Sequence, residues 1–180
     1  MERRRVIEAL LKAGCLMYGT FKLSSGGVSN VYVDVRRLYS HPRELRVVVE
    51  EMAEVVRGLA CDLVVGVETG GIPLATLVAY LTGKPMVYVR KKPKEHGTQR
   101  MIEGDLREGG RGVVVDDVAT TGSSILRAVR ALREAGVEVR DALVVVDREE
   151  GARRALRSVG VELHALVTLG ELLEAGSEAR

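Results

Sequence analysis

The sequence predicts an α/β protein with a mostly parallel central sheet flanked by helices. From residue 62 onwards, short runs rich in valine and leucine alternate with segments in which apolar residues recur at helical spacing. The apolar runs are nearly continuous, which is typical of parallel strands buried on both faces. With 180 residues, the chain has the length of a single domain, predicted to span 1–180.

The N-terminal part of the chain fits this alternation poorly. Apolar residues at helical spacing predict a helix over residues 2–13, which Gly14 ends. Two adjacent glycines then separate strand-like segments at 18–24 and 30–35, a pattern that predicts a hairpin. We therefore expect residues 1–40 to form mainly a small N-terminal hood over the functional edge of the sheet.

The α/β core is expected to cover mainly residues 41–180, and Pro42 suits the first turn of its first helix. A long polar stretch, 91–111, lies between two buried strands, and such loops are usually functional or disordered. In chain order, the predicted core elements are helix 42–59, strand 62–67, helix 73–82, strand 85–90, strand 112–116, helix 122–135, strand 139–146, helix 149–158, strand 161–166 and helix 168–175.

The composition argues against several classes of protein. A formal net charge of +2 is too small to argue for a nucleic-acid partner. No apolar run reaches the length of a membrane span and the N-terminus does not resemble a signal peptide, so a cytoplasmic protein without a membrane partner is expected. Cys15 and Cys61 suit a reducing compartment, in which we expect no disulfide between them, and no Cys/His cluster has the spacing of a zinc site.

The most informative segment runs from Val113 to Ser124 and has the sequence V-V-V-D-D-V-A-T-T-G-S-S. An apolar run stops at Asp116 and Asp117, a loop of threonine, glycine and serine follows, and a helical pattern then begins. Backbone N–H groups at such a helix start favour a bound phosphate, and adjacent carboxylates accept hydrogen bonds from sugar hydroxyls. The segment therefore predicts a ribose-phosphate site; the alternative is a serine or threonine cap on the next helix.

Other unusual residues follow the neighbouring strands, and the carboxyl ends of parallel strands meet at one edge of a sheet. Residues 68–71 (E-T-G-G) are either a tight turn or a second phosphate-binding turn. The segment 90–97 (R-K-K-P-K-E-H-G) is either a solvated charge run or a group of cations that stabilises a diphosphate. Arg148 either pairs with Asp147 or Glu150, or binds a substrate carboxylate through both guanidinium nitrogens.

Together these segments resemble the orotate phosphoribosyltransferases, a family of type I phosphoribosyltransferases, over most of the chain. The doubled-aspartate segment resembles the motif with which type I enzymes bind 5-phosphoribosyl 1-diphosphate (PRPP). The matching segments are 21–26 (F-K-L-S-S-G), 29–34 (S-N-V-Y-V-D), 66–73 (G-V-E-T-G-G-I-P), 90–97, 116–124 and 147–151 (D-R-E-E-G). Some members of the family carry lysine where this chain has Ser24 and Gly70. The resemblance implies the type I phosphoribosyltransferase fold.

The resemblance also implies a role for each matching residue. Lys94 and His96 would be catalytic, and Thr120 and Arg148 would contact orotate. The two aspartates would hold the ribose hydroxyls, and the threonine, glycine and serine residues that follow would hold the 5′-phosphate. The residues expected to bind PRPP are Arg90, Lys91, Lys94, His96, Asp116, Asp117, Val118, Ala119, Thr120, Thr121, Gly122, Ser123 and Ser124.

The resemblance further implies a homodimer in which the loop after Arg90 reaches into the neighbouring subunit's site. Mg²⁺ is expected as the cofactor, held mainly by PRPP oxygens and water and not by dedicated protein ligands. The implied reaction transfers phosphoribosyl from PRPP to orotate, giving orotidine 5′-monophosphate and pyrophosphate for pyrimidine biosynthesis. The alternatives are a purine or xanthine phosphoribosyltransferase with the same PRPP site, and a regulator that binds PRPP without catalysis.

Overall fold

A computed structural model of the chain describes residues 3–22, 27–92, 101–106 and 109–178. The strands are β1 (Leu16–Lys22), β2 (Val28–Val33), β3 (Leu63–Val67), β4 (Met86–Val89), β5 (Ile102–Glu103), β6 (Arg111–Ala119), β7 (Glu138–Asp147) and β8 (Glu162–Thr168). The helices are α1 (Arg3–Lys12), α2 (Pro42–Gly58), α3 (Gly71–Thr82), α4 (Ser123–Glu134), α5 (Ala152–Arg157) and α6 (Leu169–Glu178), with a 3₁₀ helix at Val35–Ser40.

The strands form two sheets. Six of them are ordered β5-β4-β3-β6-β7-β8, and all neighbours are parallel except β5, which runs antiparallel to β4 at the edge. This arrangement confirms the predicted mostly parallel sheet. Strands β1 and β2 pair with each other as a separate antiparallel sheet, which confirms the predicted hairpin.

Helices cover both faces of the large sheet, as the continuous apolar strands require. Along β6, Val113 and Val115 belong to the core beneath α1, α2, α3 and α6, whereas Val114 belongs to the core beneath α4 and α5. All three valines are fully buried. Alternate residues of β6 thus pack into the two cores on opposite faces of the sheet. Burial of apolar side chains on both faces therefore stabilises the sheet.

Helix α1 packs with the body of the protein. Its Val6 and Leu10 are fully buried in the same core as Met52 of α2, and α1 also contacts α6 and β8. Gly14 has a φ of +68°, so the helix ends in the left-handed conformation that glycine favours. The division of the chain into a hood over 1–40 and a core over 41–180 stays a prediction.

Strand β6 is longer than the sequence predicts, and this difference affects the site. The predicted strand ends at Asp116, but the observed strand continues to Ala119, so that Asp117 also belongs to it. Pairing with β3 ends at Val115, but pairing with β7 continues to the partners Ala119 and Asp147. Pairing with β7 on one side therefore keeps the polar end of β6 extended.

Three further features depart from the prediction. The edge strand β5 and the 3₁₀ helix lie in segments that carry no clear pattern of their own. Helix α5 begins at Ala152 and not at residue 149, because Glu149 and Gly151 have φ values of 62° and 104° and so cannot be helical. Cys15 and Cys61 are buried free thiols. None of the described helices is long and apolar enough to cross a membrane.

Candidate active site

The connections of the sheet reverse direction between β3 and β6. From β3 the chain passes through α3 to β4 on one side, and from β6 it passes through α4 to β7 on the other. Helices α3 and α4 pack on opposite faces of the sheet. The carboxyl ends of β3 and β6 therefore diverge at a topological switch point, which is where open parallel sheets bind their ligands.

A cavity of about 820 Å³ lies at this point. It brings together residues of six segments: the hairpin, the start of the 3₁₀ helix, the turn after β3, the residues after β4, the segment from Asp116 into α4, and the residue after β7. Its lining contains the predicted site residues Lys91, Asp116, Asp117, Val118, Thr120, Ser123, Ser124 and Arg148. Glu68, Thr69 and Gly70, of the turn that the sequence offers as a second phosphate-binding turn, also line it. The remaining lining residues have no predicted role, namely Lys22, Tyr32, Val33, Asp34, Arg36 and Arg127.

Four other predicted residues lie in the described part of the chain but outside the lining. Ala119 is buried, Thr121 is exposed, and Gly122 directly precedes α4. Arg90 lies at the sheet edge, where its guanidinium is 3.6 Å from Glu103 of β5. The predicted catalytic residues Lys94 and His96 lie outside the described residues.

The two aspartates are held by hydrogen bonds from neighbouring groups. Asp116 accepts one from the backbone N–H of Asp117 at 2.9 Å and one from the Ser124 hydroxyl at 3.0 Å. Asp117 accepts one from the backbone N–H of Val118 at 2.9 Å. Burial raises the pKa of Asp116 well above its usual range, and the neighbouring Asp117 carboxylate raises it further. Ionised Asp116 is therefore costly in the free protein, and a ligand with hydroxyl donors or positive charge would stabilise it.

The turn after β3 approaches the aspartates through two glycines. A Cβ on Gly70 would lie 2.3 Å from the Asp117 carboxylate, and one on Gly71 would lie 2.3 Å from the carbonyl oxygen of Val115. Tyr39 of the 3₁₀ helix donates its hydroxyl to the Gly70 carbonyl at 2.7 Å. The turn is thus packed directly on β6, and position 70 has no room for a side chain unless Asp117 moves.

Helix α4 begins beside the aspartates. Gly122 precedes it with a φ of +81° and has no side chain with which to cap the helix. The Ser124 hydroxyl, in the first turn, donates to Asp116 and not to the helix backbone. The alternative reading of this segment as a side-chain helix cap is therefore not what the structure shows, and the N–H groups of the first turn remain suited to an anion.

Arg148 forms one of the ion pairs considered for it, and its role in binding a substrate carboxylate stays a prediction. Its guanidinium pairs with Glu150 at 2.8 Å and not with Asp147, while the residue also lines the cavity and is only 8% exposed. Its backbone N–H donates to Ala119 at 2.9 Å, which fixes it to the end of β6. Asp147 instead accepts hydrogen bonds from the backbone of Glu149 and from Arg153.

Sequence reasoning assigned no role to three cations in the lining. Arg127 lies three residues after Ser124 on α4, so helical spacing alone places it on the same side as the serine. Lys22 and Arg36 carry no such signal, because they come from the hairpin and the 3₁₀ helix. Only the packing of those elements over the sheet brings them to the cavity.

The donor atoms of the site fit a metal that is carried mainly by the ligand. Among the described residues, no group of three acidic, histidine or cysteine side chains is arranged to hold a metal ion. Asp116 and Asp117 offer carboxylate oxygens in the cavity, and Mg²⁺ commonly binds one or two carboxylates together with phosphate oxygens and water. The site therefore suits Mg²⁺ bound to a phosphorylated ligand.

Comparison with known proteins agrees with this geometry. The model of the phosphoribosyl transferase domain matches residues 34–161. Orotate phosphoribosyltransferase of Pyrococcus furiosus is 45% identical over 176 residues, which cover 96% of each chain. The crystal structure of orotate phosphoribosyltransferase from Aeropyrum pernix superposes with a TM-score of 0.87 at 43% identity and covers 96% of this chain and 98% of that one.

A third relative has been solved in complex with PRPP. The Mycobacterium tuberculosis orotate phosphoribosyltransferase in complex with PRPP superposes with a TM-score of 0.77 at 32% identity, covering 96% of this chain and 99% of that one. The matched domain model covers well over half of the chain, and the relatives match nearly its whole length. This chain belongs to the orotate phosphoribosyltransferase family.

Proposed function

We propose that the chain transfers the phosphoribosyl group of PRPP to orotate, the step that makes orotidine 5′-monophosphate in pyrimidine biosynthesis. The bond between ribose C1 and the diphosphate oxygen breaks, the bond between C1 and orotate N1 forms, and the N1 proton is released. The observation that carries the proposal is one cavity in which a helix N-terminus, two adjacent carboxylates and a buried arginine meet.

The cavity supplies a partner for each part of PRPP. The first turn of α4, with Thr120 to Ser124, would hold the 5′-phosphate on its N–H groups. Asp116 and Asp117 would accept hydrogen bonds from the ribose hydroxyls. Arg90, Lys91, Lys94 and His96 would bind the diphosphate end, where Lys91 already lines the cavity.

Charge develops at two places during the reaction. The ribose takes on oxocarbenium character, which the carboxylates of Asp116 and Asp117 would stabilise, and the departing diphosphate gains negative charge. Mg²⁺ bound to the diphosphate would neutralise part of that charge, together with the cations of the segment after β4. The negative charge of orotate lies on its carboxylate, so N1 still loses its proton during the reaction, and we assign no residue as a general base for that step.

Orotate would be recognised by Arg148 and Thr120. Guanidinium geometry suits a carboxylate, and the hydrogen bond of the Arg148 backbone to Ala119 fixes the residue beside the aspartates. Arg148→Ala should raise the KM for orotate by about 10- to 100-fold and leave the affinity for PRPP within a few-fold, since a charged hydrogen-bonding partner is lost at one subsite only. Steady-state kinetics with each substrate varied would measure this. An unchanged KM for orotate would contradict the assignment.

The partner that completes the site is proposed to be a second copy of this chain, whose Lys94 and His96 act across the interface. Lys94→Ala should lower kcat by about 100-fold, with a smaller effect on PRPP binding, because its charge acts mainly on the leaving group. Mixing it with the Asp116→Asn variant after reversible dissociation should restore roughly one quarter of wild-type turnover, because half of the dimers are mixed and one of their two sites is intact. No recovery from a demonstrably mixed dimer would contradict action across the interface.

The direct test of the proposed function is an absorbance assay with orotate, PRPP and Mg²⁺. Consumption of orotate with formation of orotidine 5′-monophosphate supports the proposal. Consumption of xanthine, guanine or adenine in place of orotate would make the chain a purine-type enzyme with the same PRPP site. Binding of PRPP without turnover of any base would make it a regulator.

A further inference from the structure

We propose that Glu68 is a positioning residue that places Lys91 for the diphosphate end of PRPP. The inference rests on the proposed function and gives the Glu68 side chain a specific task within the turn that the sequence offers as a phosphate-binding turn. Glu68 is the first residue of the turn after β3, and Lys91 lies just beyond the end of β4. Both residues line the cavity.

A direct hydrogen bond joins the two segments. The backbone N–H of Lys91 donates to the Glu68 carboxylate, with 2.6 Å between nitrogen and Oε2. The backbone N–H of Glu68 in turn donates to Val89 at 3.0 Å, which continues the pairing of β3 with β4. The backbone pairing of β3 with β4 has ended before Lys91. The Glu68 side chain therefore continues the connection and holds Lys91 to the turn after β3.

The negative charge of Glu68 needs an explanation, because it lies in the cavity beside the proposed diphosphate site. A carboxylate beside a diphosphate site opposes binding of the ligand by like-charge repulsion. Asp34, another acid of the lining, is paired with Arg36 at 2.7 Å. Glu68 instead accepts a hydrogen bond from the backbone N–H of Lys91, a short charge-assisted bond that secures the cation-bearing segment at the expense of a negative charge in the cavity.

The neighbouring residue is fixed from the other side. The backbone N–H of Arg90 donates to Met101 at 2.8 Å, next to the pairing of β4 with β5. The backbones of Arg90 and Lys91 are thus bonded on opposite sides, Arg90 to the residue before the edge strand β5 and Lys91 to the turn after β3. Since Gly70 and Gly71 of that turn pack on Asp117 and Val115, Glu68 connects the diphosphate end of the cavity to its ribose end.

Three substitutions at Glu68 distinguish the effect of its side-chain length from the effect of its negative charge. Glu68→Ala removes the acceptor, and Glu68→Asp keeps the charge on a side chain one methylene shorter; both should lower kcat/KM for PRPP by about 10-fold or more. Glu68→Gln keeps an acceptor of the same length and should stay within about 3-fold of wild type, with a KM for PRPP no higher than wild type. The KM for orotate and the melting temperature should stay unchanged in all three variants.

A double-mutant cycle with Lys91→Ala tests whether Glu68 acts through Lys91. Glu68→Ala should cost little in the Lys91→Ala background, because the residue that it positions has already lost its charge. Additive losses, or a Glu68→Gln variant as impaired as Glu68→Ala, would overturn the inference.

A binding measurement keeps this inference separate from the proposed function. Calorimetric titration with magnesium pyrophosphate should show similar affinity for wild type and Glu68→Gln, and about 10-fold weaker binding for Glu68→Ala. Absence of orotate turnover in the wild type would refute the proposed function and leave this comparison intact. Equal pyrophosphate affinity in Glu68→Ala and wild type would refute the positioning role.

Discussion

Asp116→Asn should lower turnover by about 1000-fold and make the free protein more resistant to heat. The loss follows from the proposed role of the carboxylate, which faces positive charge that develops on the ribose in the transition state. The gain in stability follows from burial: the charged form of a residue that is only 5% exposed is costly while no ligand is present. Asparagine keeps an acceptor oxygen for the N–H of Asp117, and the Ser124 hydroxyl can donate or accept.

The stability difference should depend on pH in a defined direction. Burial and the neighbouring Asp117 raise the pKa of Asp116 in the folded protein above the value of about 3.9 for an unfolded aspartate. Between these two pKa values the folded state binds more protons than the unfolded state, so the Asp116 contribution to stability falls as pH rises from about 4 through the folded pKa. The advantage of Asp116→Asn should therefore grow over this window and then level off.

Melting curves of wild type and variant at a series of pH values from about 4 to 8 would measure this effect. Asp105→Asn is a suitable control, because it removes the same charge from an exposed residue outside the cavity. The control should change neither turnover nor the pH dependence of the melting temperature. Wild-type turnover in Asp116→Asn would refute the catalytic role, and a lower melting temperature near pH 7 would refute the argument from burial.

Gly71→Ala should lower the free energy of unfolding by about 3 kcal/mol and abolish tight binding of PRPP. The added Cβ would lie 2.3 Å from the carbonyl oxygen of Val115 and 3.1 Å from the Cα of Asp116. Both atoms belong to the backbone of β6, which is flanked by β3 and β7 and cannot retreat. The turn after β3 must therefore move away from the aspartates, which alters the cavity as well as the packing.

Urea unfolding, followed by the loss of helical circular dichroism, would give the change in free energy. Gly58→Ala is the matched control, since nothing lies within 4 Å of a Cβ at this last residue of α2. The control should gain up to about 1 kcal/mol from the better helix propensity of alanine and keep full activity. A loss below about 0.5 kcal/mol in Gly71→Ala would show that the turn has more room than its geometry indicates.

The sequence contained most of the information on the fold. Apolar runs and helical periodicity identified both members of the N-terminal hairpin and the alternating elements of the core, because side-chain burial repeats with the period of each element. The edge strand at Ile102–Glu103 was missed, since two residues carry no period and pair only because β4 is beside them. The extension of β6 beyond Asp116 escapes the sequence for a related reason: two acids look like a strand end unless β7 is known to continue beyond them.

The sequence by itself also located the aspartates, the start of α4 and Arg148, because glycines, acids and an arginine at the ends of predicted strands form local patterns. Tertiary structure alone decided which other residues meet them. Lys22 and Arg36 reach the cavity because the hairpin and the 3₁₀ helix pack over the sheet, and Glu68 meets Lys91 because β3 and β4 are neighbours. Such contacts join residues far apart in the chain, and local periodicity holds no information on them.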